Sequence, residues 1–548
     1  LSGTLAARSA EDIHVTARDG DLNLESAFST KDVFLIADKG SILDGVRTDT
    51  TKISAANLYL KAAGTIGESA DGTRNAIEVK LGGSIRASAT GAILLTETAG
   101  NMKVVAVTTT GDVVLQAQAS ILDGGDLVNP RDIDSARDPS GSGRANVSGR
   151  SINLVARDGI GVSGDEFEFD SNVGGTTTGR VTLLAEQRDI YAVETSGDVW
   201  LATIGAGAGN TAFLTALAGD ILNGSSDYND SNGGTSNLSS GQAKLIASGS
   251  VGTATRRIIA KLATADTRNP SGGIEVSAGG DVWLWNVGAL RVGGVTPLLK
   301  TGIQAGGAIN LRTSSPMTID QDVISKKSIN IFSGEDITRS DDLLLVKGGV
   351  TIFSTEGSVT LAAGDDLVVE AGAVVKAKGD IVLGADVRIV KDRDGNDIGV
   401  ASNEAAATID LSGTFVGRTI TIEGSSLGGT YRLNGVFLTG ERDITVAGSV
   451  PNDPDQRITL GQITETALVR GGSITLRTGN GPNTITLGNN TYSTGAMNVI
   501  GGAGDDTVTL DGTFTLDALT IDLGAGSNSL TAAGLYTVGG ALAIRGGS

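Results

Sequence analysis

The chain has 548 residues, of which 80 are glycine, 8 are proline and none is cysteine, and its formal net charge is −20. The lack of cysteine excludes disulfides and thiolate metal sites, and the strong acidity argues against nucleic acid and anionic membrane surfaces as partners. Aromatic residues make up only 3%, so we expect a core of Val, Ile, Leu, Ala and Thr, which fill narrow β interiors.

The N-terminal part of the chain contains a long repeat that ends in a five-residue motif. SILDG occurs at 41–45 and at 120–124, and it returns as DILNG at 220–224. Each copy follows a segment that reads as a strand and precedes a polar stretch of variable length. Insertions at one place of a repeat are typical of loops on one face of a solenoid. We therefore predict a β-helix over residues 1–300 with loop insertions on one face, where specific contacts are most expected.

Short strands punctuated by glycine follow. In 358–390, apolar and polar residues alternate, and glycine interrupts the alternation every five to eight residues. Alternation with a period of two indicates half-buried strands, and no segment shows the 3.6-residue period of a helix. We predict a regular β-helix over 301–391 and a less regular β region with loops over 392–470.

A shorter repeat lies in 471–548. Gly481, Gly504 and Gly526 hold equivalent places 22 or 23 residues apart. A unit of this length is too short for a propeller blade or a sandwich domain and fits one coil of a parallel β-helix, with about three strands per coil. Stacked at about 4.8 Å per coil, the whole chain would form a rod on the order of 120 Å long. A polar residue follows each glycine by two positions, and these residues are predicted to form a hydrogen-bonded corner ladder. They are Asn483, Asp506 and Asn528.

Several runs of the chain resemble a known family of repetitive proteins. GDVVLQAQ (111–118), GDILNG (219–224), GGDVWLWN (279–286) and GDIVLGAD (379–386) look like filamentous-haemagglutinin-type exoproteins, which are giant bacterial adhesins. The resemblance is one of repeat style and covers most of residues 1–390. It implies a right-handed parallel β-helix and a surface-exposed or secreted stalk.

A second resemblance concerns calcium. The segment GGAGDDTVT (501–509) is similar to the glycine-rich nonapeptide of RTX-type proteins, and this similarity implies a Ca²⁺ site in which Asp506 is a ligand and Gly502 and Gly504 lend carbonyl oxygens. In that family the nonapeptides follow one another directly, whereas here one motif occurs per 22 or 23 residues. One carboxylate is a weak site for an ion that takes six to eight oxygens. An uncharged corner ladder is the alternative.

An acidic loop is a second calcium candidate. DRDGND at 392–397 places carboxylates and a glycine in the order that begins an EF-hand-type loop. The twelfth position from its start is Asn403 rather than the closing glutamate, so the segment is either a Ca²⁺ site or a polar turn. Its candidate ligands are Asp392, Asp394, Asn396 and Asp397.

Few other residues point to chemistry. His14 is the only histidine, so a multi-histidine metal site is excluded, and its place in a strand pattern predicts that it faces outward. Trp283 and Trp285 lie on one face of a predicted strand, and with Trp200 they would form either a sugar-stacking patch or a covered solenoid face that contacts a neighbouring chain. A carbohydrate-active β-helix enzyme, such as a polysaccharide lyase or glycosidase, therefore remains an alternative.

The features together predict a non-enzymatic, structural or adhesive segment of a giant extracellular or cell-surface bacterial protein. A calcium-dependent self-assembling surface-layer or fibre module is the alternative from another class. The expected partners are further copies of the chain, a host or neighbouring cell surface, and carbohydrate, with no nucleic acid and no membrane insertion in this segment. The chain begins and ends within its repeats, which predicts a piece of a longer protein.

Overall fold

The structure is a computed structural model, and it describes most of the chain. The residues outside the description are 1–2, 68–74, 126–144, 174–178, 229–234, 263–271, 297–298, 315, 335–341, 392–396, 402–405, 426, 428, 441–443, 448–461, 466–471, 489–490 and 547–548. For 388–391, 397–401, 444–447, 462–465 and 491–494 only the backbone is described. The described residues form β-strands joined by turns and contain no α-helix.

Contacts divide the chain into two units, Leu1–Gly249 and Ser250–Ser548. The strands of the first unit are β1 (Leu5–Ser9), β2 (Ile13–Ala17), β3 (Leu22–Ser29), β4 (Val33–Ala37), β5 (Ile42–Asp44), β6 (Ile53–Ala55), β7 (Leu58–Ala62), β8 (Ile77–Leu81), β9 (Ser84–Ser88), β10 (Ile93–Glu97), β11 (Met102–Thr108), β12 (Val113–Ala117), β13 (Ile121–Asp123), β14 (Val147–Ser148), β15 (Ile152–Ala156), β16 (Phe167–Asp170), β17 (Val181–Ala185), β18 (Ile190–Glu194), β19 (Val199–Ala206), β20 (Thr211–Ala216), β21 (Ile221–Asn223), β22 (Leu238–Ser240) and β23 (Gln242–Ala247).

The strands of the second unit are β24 (Ile258–Leu262), β25 (Gly273–Ala278), β26 (Val282–Asn286), β27 (Leu290–Val292), β28 (Thr301–Ala305), β29 (Ile309–Thr313), β30 (Met317–Ile319), β31 (Asp322–Ser325), β32 (Ile329–Ser333), β33 (Leu343–Val346), β34 (Thr351–Ser354), β35 (Val359–Ala363), β36 (Asp366–Val369), β37 (Val374–Ala377), β38 (Ile381–Gly384), β39 (Val387–Lys391), β40 (Asp397–Ala401), β41 (Ala407–Leu411), β42 (Thr414–Gly417), β43 (Ile420–Glu423), β44 (Gly429–Leu433), β45 (Val436–Thr439), β46 (Ile444–Ala447), β47 (Gln462–Glu465), β48 (Ser473–Arg477), β49 (Asn483–Leu487), β50 (Thr491–Ile500), β51 (Thr507–Leu510), β52 (Thr513–Asp522), β53 (Ser529–Ala532), β54 (Leu535–Val538) and β55 (Leu542–Arg545).

In the first unit, successive strands alternate between two parallel ladders. The first ladder is built by β1, β3, β5 with β6, β8, β10, β12, β15, β17, β19 and β21 with β22. The second is built by β2, β4, β7, β9, β11, β13 with β14, β16, β18, β20 and β23. Where no loop intervenes, a coil is slightly shorter than predicted, since Ile13 pairs with Val33 and Ile93 with Val113.

The loops that follow the five-residue motif interrupt strands of this unit. Leu22 of β3 pairs with Ile42 of β5, and Ala27 of β3 pairs with Ile53 of β6, so one strand faces two short strands on the next coil. β11 faces β13 and β14 in the same way, and β19 faces β21 and β22. The first and third loops interrupt the first ladder and the second loop interrupts the second. The prediction of loops on one face is therefore wrong, because either ladder can accommodate the interruption.

In the second unit, the strands from β27 to β49 that join the parallel ladders belong to three ladders, with three strands per coil. The long strands β50 and β52 each run through two of these ladders, since β50 pairs with β45 and β48 and β52 pairs with β54 and β55. The strands β36, β37 and β38 pair in order with β41, β42 and β43, which pair in turn with β44, β45 and β48. Near the C-terminus Thr513 pairs with Leu535 and Leu519 with Leu542, which matches the repeat of 22 or 23 residues in the sequence. Two antiparallel pairs, β39 with β40 and β46 with β47, lie outside the parallel ladders.

The core consists of rows of similar side chains, one per coil. In the second unit Ile309 pairs with Ile329, which pairs with Val359 and then with Ile381, and all four are fully buried. Successive strand residues point to opposite faces, so every second residue joins such a row. In another row the rings of Phe415 and Phe437 stack with centroids 4.9 Å apart.

The prediction of an all-β parallel β-helix is therefore confirmed. It follows from the alternation of apolar residues and from a repeat that brings like residues into register on successive coils. Within the described residues, no helix has the length and apolar character that a membrane span needs.

Candidate functional site

The residue before many strands forms a hydrogen bond that links one coil to the next. The backbone N–H of Asp32 donates to Asp12 Oδ1 (3.2 Å), that of Asn57 donates to Asp32 Oδ1 (3.1 Å), and that of Ser84 donates to Asn57 Oδ1 (2.9 Å). A backbone N–H at a turn has no strand partner, and a short Asp, Asn or Ser side chain satisfies it. We call such a contact a corner rung.

Corner rungs explain the recurring Gly-Asp and Gly-Ser pairs of the sequence. The carboxylate of Asp198 accepts the N–H of Asp220 (2.9 Å), and that of Asp281 accepts the N–H of Ala308 (2.8 Å). The hydroxyl oxygen of Ser358 accepts the N–H of Asp380 (3.0 Å). The runs that carry the family resemblance thus contain the residues that cap the coils.

A second polar device closes the inserted loops at their base. The last residue of the motif strand, Asp123 or Asn223, is buried and accepts a hydrogen bond from the buried asparagine that precedes the next strand. The donor is Asn146 Nδ2 in the first case (2.7 Å) and Asn237 Nδ2 in the second (3.0 Å). We call each pair a loop clip, since it joins the two ends of the interruption.

The loop clips also bind the long strand of the preceding coil. Asn146 Nδ2 donates to the carbonyl of Val104 (3.0 Å), and Asn237 Nδ2 donates to the carbonyls of Leu201 (3.1 Å) and Ala202 (3.2 Å). The strand register shifts at both places, as in a β-bulge. The carbonyls of Val104 and Leu201 also accept the N–H groups of Gly124 and Gly224, so each clip shares an acceptor with the backbone of the next coil. Sequence reasoning found the motif but missed its asparagine partners, whose only signal is an Asn directly before one apolar residue and a serine, as in Asn146-Val147-Ser148 and Asn237-Leu238-Ser239.

The base of the first motif loop is closed by charges together with one amide, since Asn75 Nδ2 donates to Asp44 Oδ2 (2.8 Å). Lys52 is 1% exposed and its Nζ lies 3.5 Å from Asp44 Oδ2 and 3.4 Å from Glu78 Oε2. Burial raises the pKa of the Glu78 carboxyl, although the Lys52 charge acts in the opposite direction. Removing one partner of a buried ion group of this kind is costly, because it leaves a buried charge without its partner. The group joins the end of β5 to the residue before β6, the two ends of the first motif loop.

Another carboxyl of this unit is buried without a cation. Glu194 is fully buried at the end of β18, and the N–H of Ser171 donates to both of its oxygens at 3.1 Å. Burial raises the pKa of Glu194 well above its ordinary value, against the lowering effect of the Ser171 hydrogen bonds. The contact joins β18 to the turn after β16 and is structural.

The predicted corner ladder near the C-terminus is present. The N–H of Asn483 donates to Asp506 Oδ1 (3.2 Å), and the N–H of Asp506 donates to Asn528 Oδ1 (2.9 Å). Asn483 Nδ2 also donates to Asp506 Oδ1 (2.7 Å) and to the carbonyls of Gly479 (3.1 Å) and Gly481 (2.8 Å). Here the side chain of the later coil accepts the N–H of the earlier one, which reverses the direction of the N-terminal corner rungs.

Asp506 is the unusual member of this ladder. It is fully buried, burial raises the pKa of its carboxyl, and its Oδ2 has no hydrogen-bond partner. Gly502 and Gly504 occupy the positions that Gly479 and Gly481 occupy in the preceding coil. Asn483 donates its side-chain amide to the carbonyls of that coil, whereas the carboxylate of Asp506 has no N–H to donate in the same way. The negative charge of this oxygen would attract a cation. However, the corner offers one carboxylate as a ligand, and Ca²⁺ takes six to eight oxygens.

The other calcium candidate is not described. Asp392, Asp394 and Asn396 lie outside the described residues, and Asp397 begins β40, for which only the backbone is described. Within the described part of the chain, no group of three or more His, Asp or Glu side chains is arranged to hold a metal ion.

The tryptophans are covered by arginines. The guanidinium of Arg257 lies 5.0 Å from the ring of Trp283, and that of Arg312 lies 4.4 Å from the ring of Trp285. Trp283 is 9% exposed and Trp285 is 5% exposed. The prediction of a sugar-stacking surface is wrong for these two residues, because a stacking platform needs an open ring face and these faces are occupied.

Trp200 and His14 lie in the first unit. Trp200 is half-buried, with the guanidinium of Arg180 5.2 Å from its ring, and a sugar contact there stays a prediction. His14 faces outward as predicted, and its ring stacks on Phe34 with centroids 4.3 Å apart. Phe34 stacks in turn on Tyr59 at 4.4 Å, so this row of rings extends the core pattern to the surface.

Comparison of the chain with protein-family models, with curated proteins and with solved structures finds no match.

The loop clip predicts that loss of the side-chain amide of Asn237 lowers the stability of the chain. Asn237→Ala removes the hydrogen bonds to Asn223 and to the carbonyls of Leu201 and Ala202. Asn223 Oδ1 and the Leu201 carbonyl keep the N–H groups of Ser225 and Gly224 as donors, whereas the Ala202 carbonyl loses the amide that Asn237 directs at it. We expect a loss of about 2–3 kcal/mol in the free energy of unfolding, measured by denaturant unfolding followed by circular dichroism. Asn23→Ala, on the outer face of β3, is the control. Equal stability of the two variants would show that the clip does not hold the loop base.

The buried carboxyl of Glu194 predicts that the chain becomes less stable as the pH rises. Its folded pKa is raised, so the folded state binds the proton more tightly, and the chain loses stability as the pH rises from about 4.5 through the folded pKa, by up to about 1.4 kcal/mol per pH unit. Glu194→Gln keeps an acceptor for Ser171 and removes this loss.

We therefore expect Glu194→Gln to unfold at nearly the wild-type temperature at pH 4 and at a higher temperature at pH 8. Glu186→Gln, which removes an exposed carboxyl in the same unit, is the control. A Glu194→Gln variant that is less stable than wild type at pH 8 would contradict this account of the buried carboxyl.

Proposed function

We propose that the chain is a structural segment of a repetitive extracellular or cell-surface bacterial protein, in which a β-helix bears load and carries loops for contact with other surfaces. The observation that supports this most directly is the continuity of the parallel ladders. In each unit, strands of one coil pair with strands of the coils before and after it. Tension on such a coil is shared by many backbone hydrogen bonds.

Charged side chains reinforce the contact between coils. Arg150 Nη2 lies 2.9 Å from Asp112 Oδ1, Lys39 Nζ lies 2.6 Å from Asp19 Oδ1, and each pair joins neighbouring coils of the first unit. Arg418 forms a two-pronged contact with the carboxylate of Asp380 in the second unit, which lowers the pKa of that carboxyl. Exposed pairs contribute little individually, so their value lies in repetition.

The loop clips support the part of the proposal that assigns the loops to contact with other surfaces. Because each clip closes the base of an insertion with its own hydrogen bonds, the loop beyond it is free to differ in length and composition without disturbing the ladder. The three motif loops do differ in this way. A scaffold of constant coils with variable loops suits adhesion, in which the loops select the partner.

Single-molecule force spectroscopy on the full chain tests the structural role. We expect force peaks separated by length gains of about 70 Å or multiples of it, since one coil of 20–23 residues extends by about 3.3–3.6 Å per residue. The same chain in concentrated denaturant, which should show no peaks, is the reference. Extension of the native chain without force peaks would contradict a load-bearing role.

Calcium-dependent assembly is the second candidate, and the lone Oδ2 of Asp506 favours it. If a cation binds there, Ca²⁺ at 100-fold over its Kd would stabilise the chain by about 2.7 kcal/mol, a chelator would reverse the effect, and Asp506→Asn would abolish it. Without calcium, Asp506→Asn should be more stable than wild type, because it removes a buried carboxylate and the new amide can donate to carbonyls of its own coil, as Asn483 Nδ2 does to those of Gly479 and Gly481.

Thermal unfolding with calcium and with chelator, together with the sedimentation profile under both conditions, measures this. An equal calcium effect on wild type and on Asp506→Asn would rule out the corner as the site. A calcium-independent sedimentation profile would remove the assembly hypothesis while leaving the structural role intact.

A further inference from the structure

A surface cavity of about 660 Å³ lies on the outer face of the first ladder near the N-terminus. Its size falls within the range of about 300–1,000 Å³ that is usual for small-ligand sites. It is lined by one aromatic residue, two cationic residues, five hydroxyl residues and one alanine. These residues are Phe28, Arg8, Lys80, Ser9, Ser29, Thr30, Thr51, Ser54 and Ala10.

Strand register builds the floor of this cavity. Arg8 pairs with Phe28, Phe28 with Ser54, and Ser54 with Lys80, so the four residues form one outward row across four successive coils. At about 4.8 Å per coil, the two cationic ends of the row are about 14 Å apart. The small side chain of Ser54 between Phe28 and Lys80 leaves the depression open.

The charge of the cavity is opposite to that of the chain. The chain has 62 acidic and 42 basic residues, yet no carboxylate lines the cavity and two cations do. Arg8 lies 5.5 Å from the Phe28 ring, and neither Arg8 nor Lys80 has an ion-pair partner among the residues that the structure describes. The charge of Lys80 acts on the buried carboxyl of Glu97, whose pKa burial raises, but no carboxylate lines the cavity. Two cations at such a cavity favour an anionic ligand.

The hydroxyl groups add a second kind of recognition. Ser29 Oγ donates to the carbonyl of Glu11 (2.7 Å) and Thr30 Oγ1 donates to the carbonyl of Ala10 (2.8 Å). Ser29 is buried, and its oxygen already accepts the N–H of Lys31. The exposed Thr30 hydroxyl has its hydrogen engaged, so its oxygen is oriented to accept a hydrogen bond from a ligand. A ligand that suits the rim therefore carries hydroxyl donors as well as negative charge.

We propose that this cavity binds a short anionic oligosaccharide. Its acidic groups would meet Arg8 and Lys80 at the two ends, its hydroxyls would donate to the serine and threonine oxygens, and one sugar face would lie against Phe28. An acidic peptide would satisfy the cations but would leave the hydroxyl rim largely unused. The site goes beyond the structural role and does not depend on it, since it needs only the first coils to be folded.

Isothermal titration calorimetry of the full chain with trigalacturonate tests the proposal. We expect saturable binding that weakens at least about fivefold in Arg8→Ala and in Lys80→Ala, because each loses one charge-assisted contact. Ser54→Leu, which fills the depression, should abolish it. Lys103→Ala removes an exposed cation from the second ladder, outside the cavity, and should bind as wild type does.

Three further probes fix the ligand chemistry. A sulfated trisaccharide that binds with the same dependence on Arg8 and Lys80 supports the site and identifies which acidic group it prefers. Neutral maltotriose should bind at least about tenfold more weakly than trigalacturonate. Binding of hexaglutamate as tight as that of trigalacturonate would overturn the saccharide assignment, and equal trigalacturonate binding by wild type, Arg8→Ala and Lys80→Ala would overturn the site.

Discussion

The parallel pairing of each coil with the next is the interaction on which the rest of this structure depends. It requires that every position of a coil match the corresponding position of its neighbours, both in backbone direction and in side-chain size. The row of Ile309, Ile329, Val359 and Ile381 meets this requirement in the core. At the corners, where the ladder ends, the side chains of Asp32 and Asn57 accept the N–H groups of Asn57 and Ser84 and form corner rungs. The fold is thus repeated local matching rather than one central core.

This repetition explains why the fold could be predicted from the sequence. The spacing of Gly481, Gly504 and Gly526 gives the length of a coil directly, and glycine is needed there because a Cβ on Gly504 or Gly526 would lie 2.3 Å from the carbonyl oxygen of the preceding coil. The places where a coil is divided into two strands rather than the expected three could not be predicted, since both arrangements use the same alternation of apolar and polar residues.

The polar contacts were predictable only where the repeat displays them. Asn483, Asp506 and Asn528 recur at a fixed spacing, so their ladder follows from the sequence. The loop clip does not, because Asp123 and Asn146 are separated by an inserted loop of arbitrary length. The surface cavity was missed for a related reason: Arg8 and Lys80 come together only through the register of four coils. The covering of Trp283 and Trp285 could not be predicted, because the arginines that lie over their rings come from other coils.

Hydrogen exchange at the corner amides tests the central claim most directly. The N–H groups of Asn57, Ser84 and Asp506 are bound by side chains of neighbouring coils. If these side chains join the coils, they hold the corner amides as securely as the ladder holds the strand amides. Exchange measured at single-residue resolution should therefore find these corner amides protected to a degree similar to that of the strand amides beside them. Rapid exchange at the corners, between protected strands, would show that the coils are joined by the ladders alone and would contradict the account.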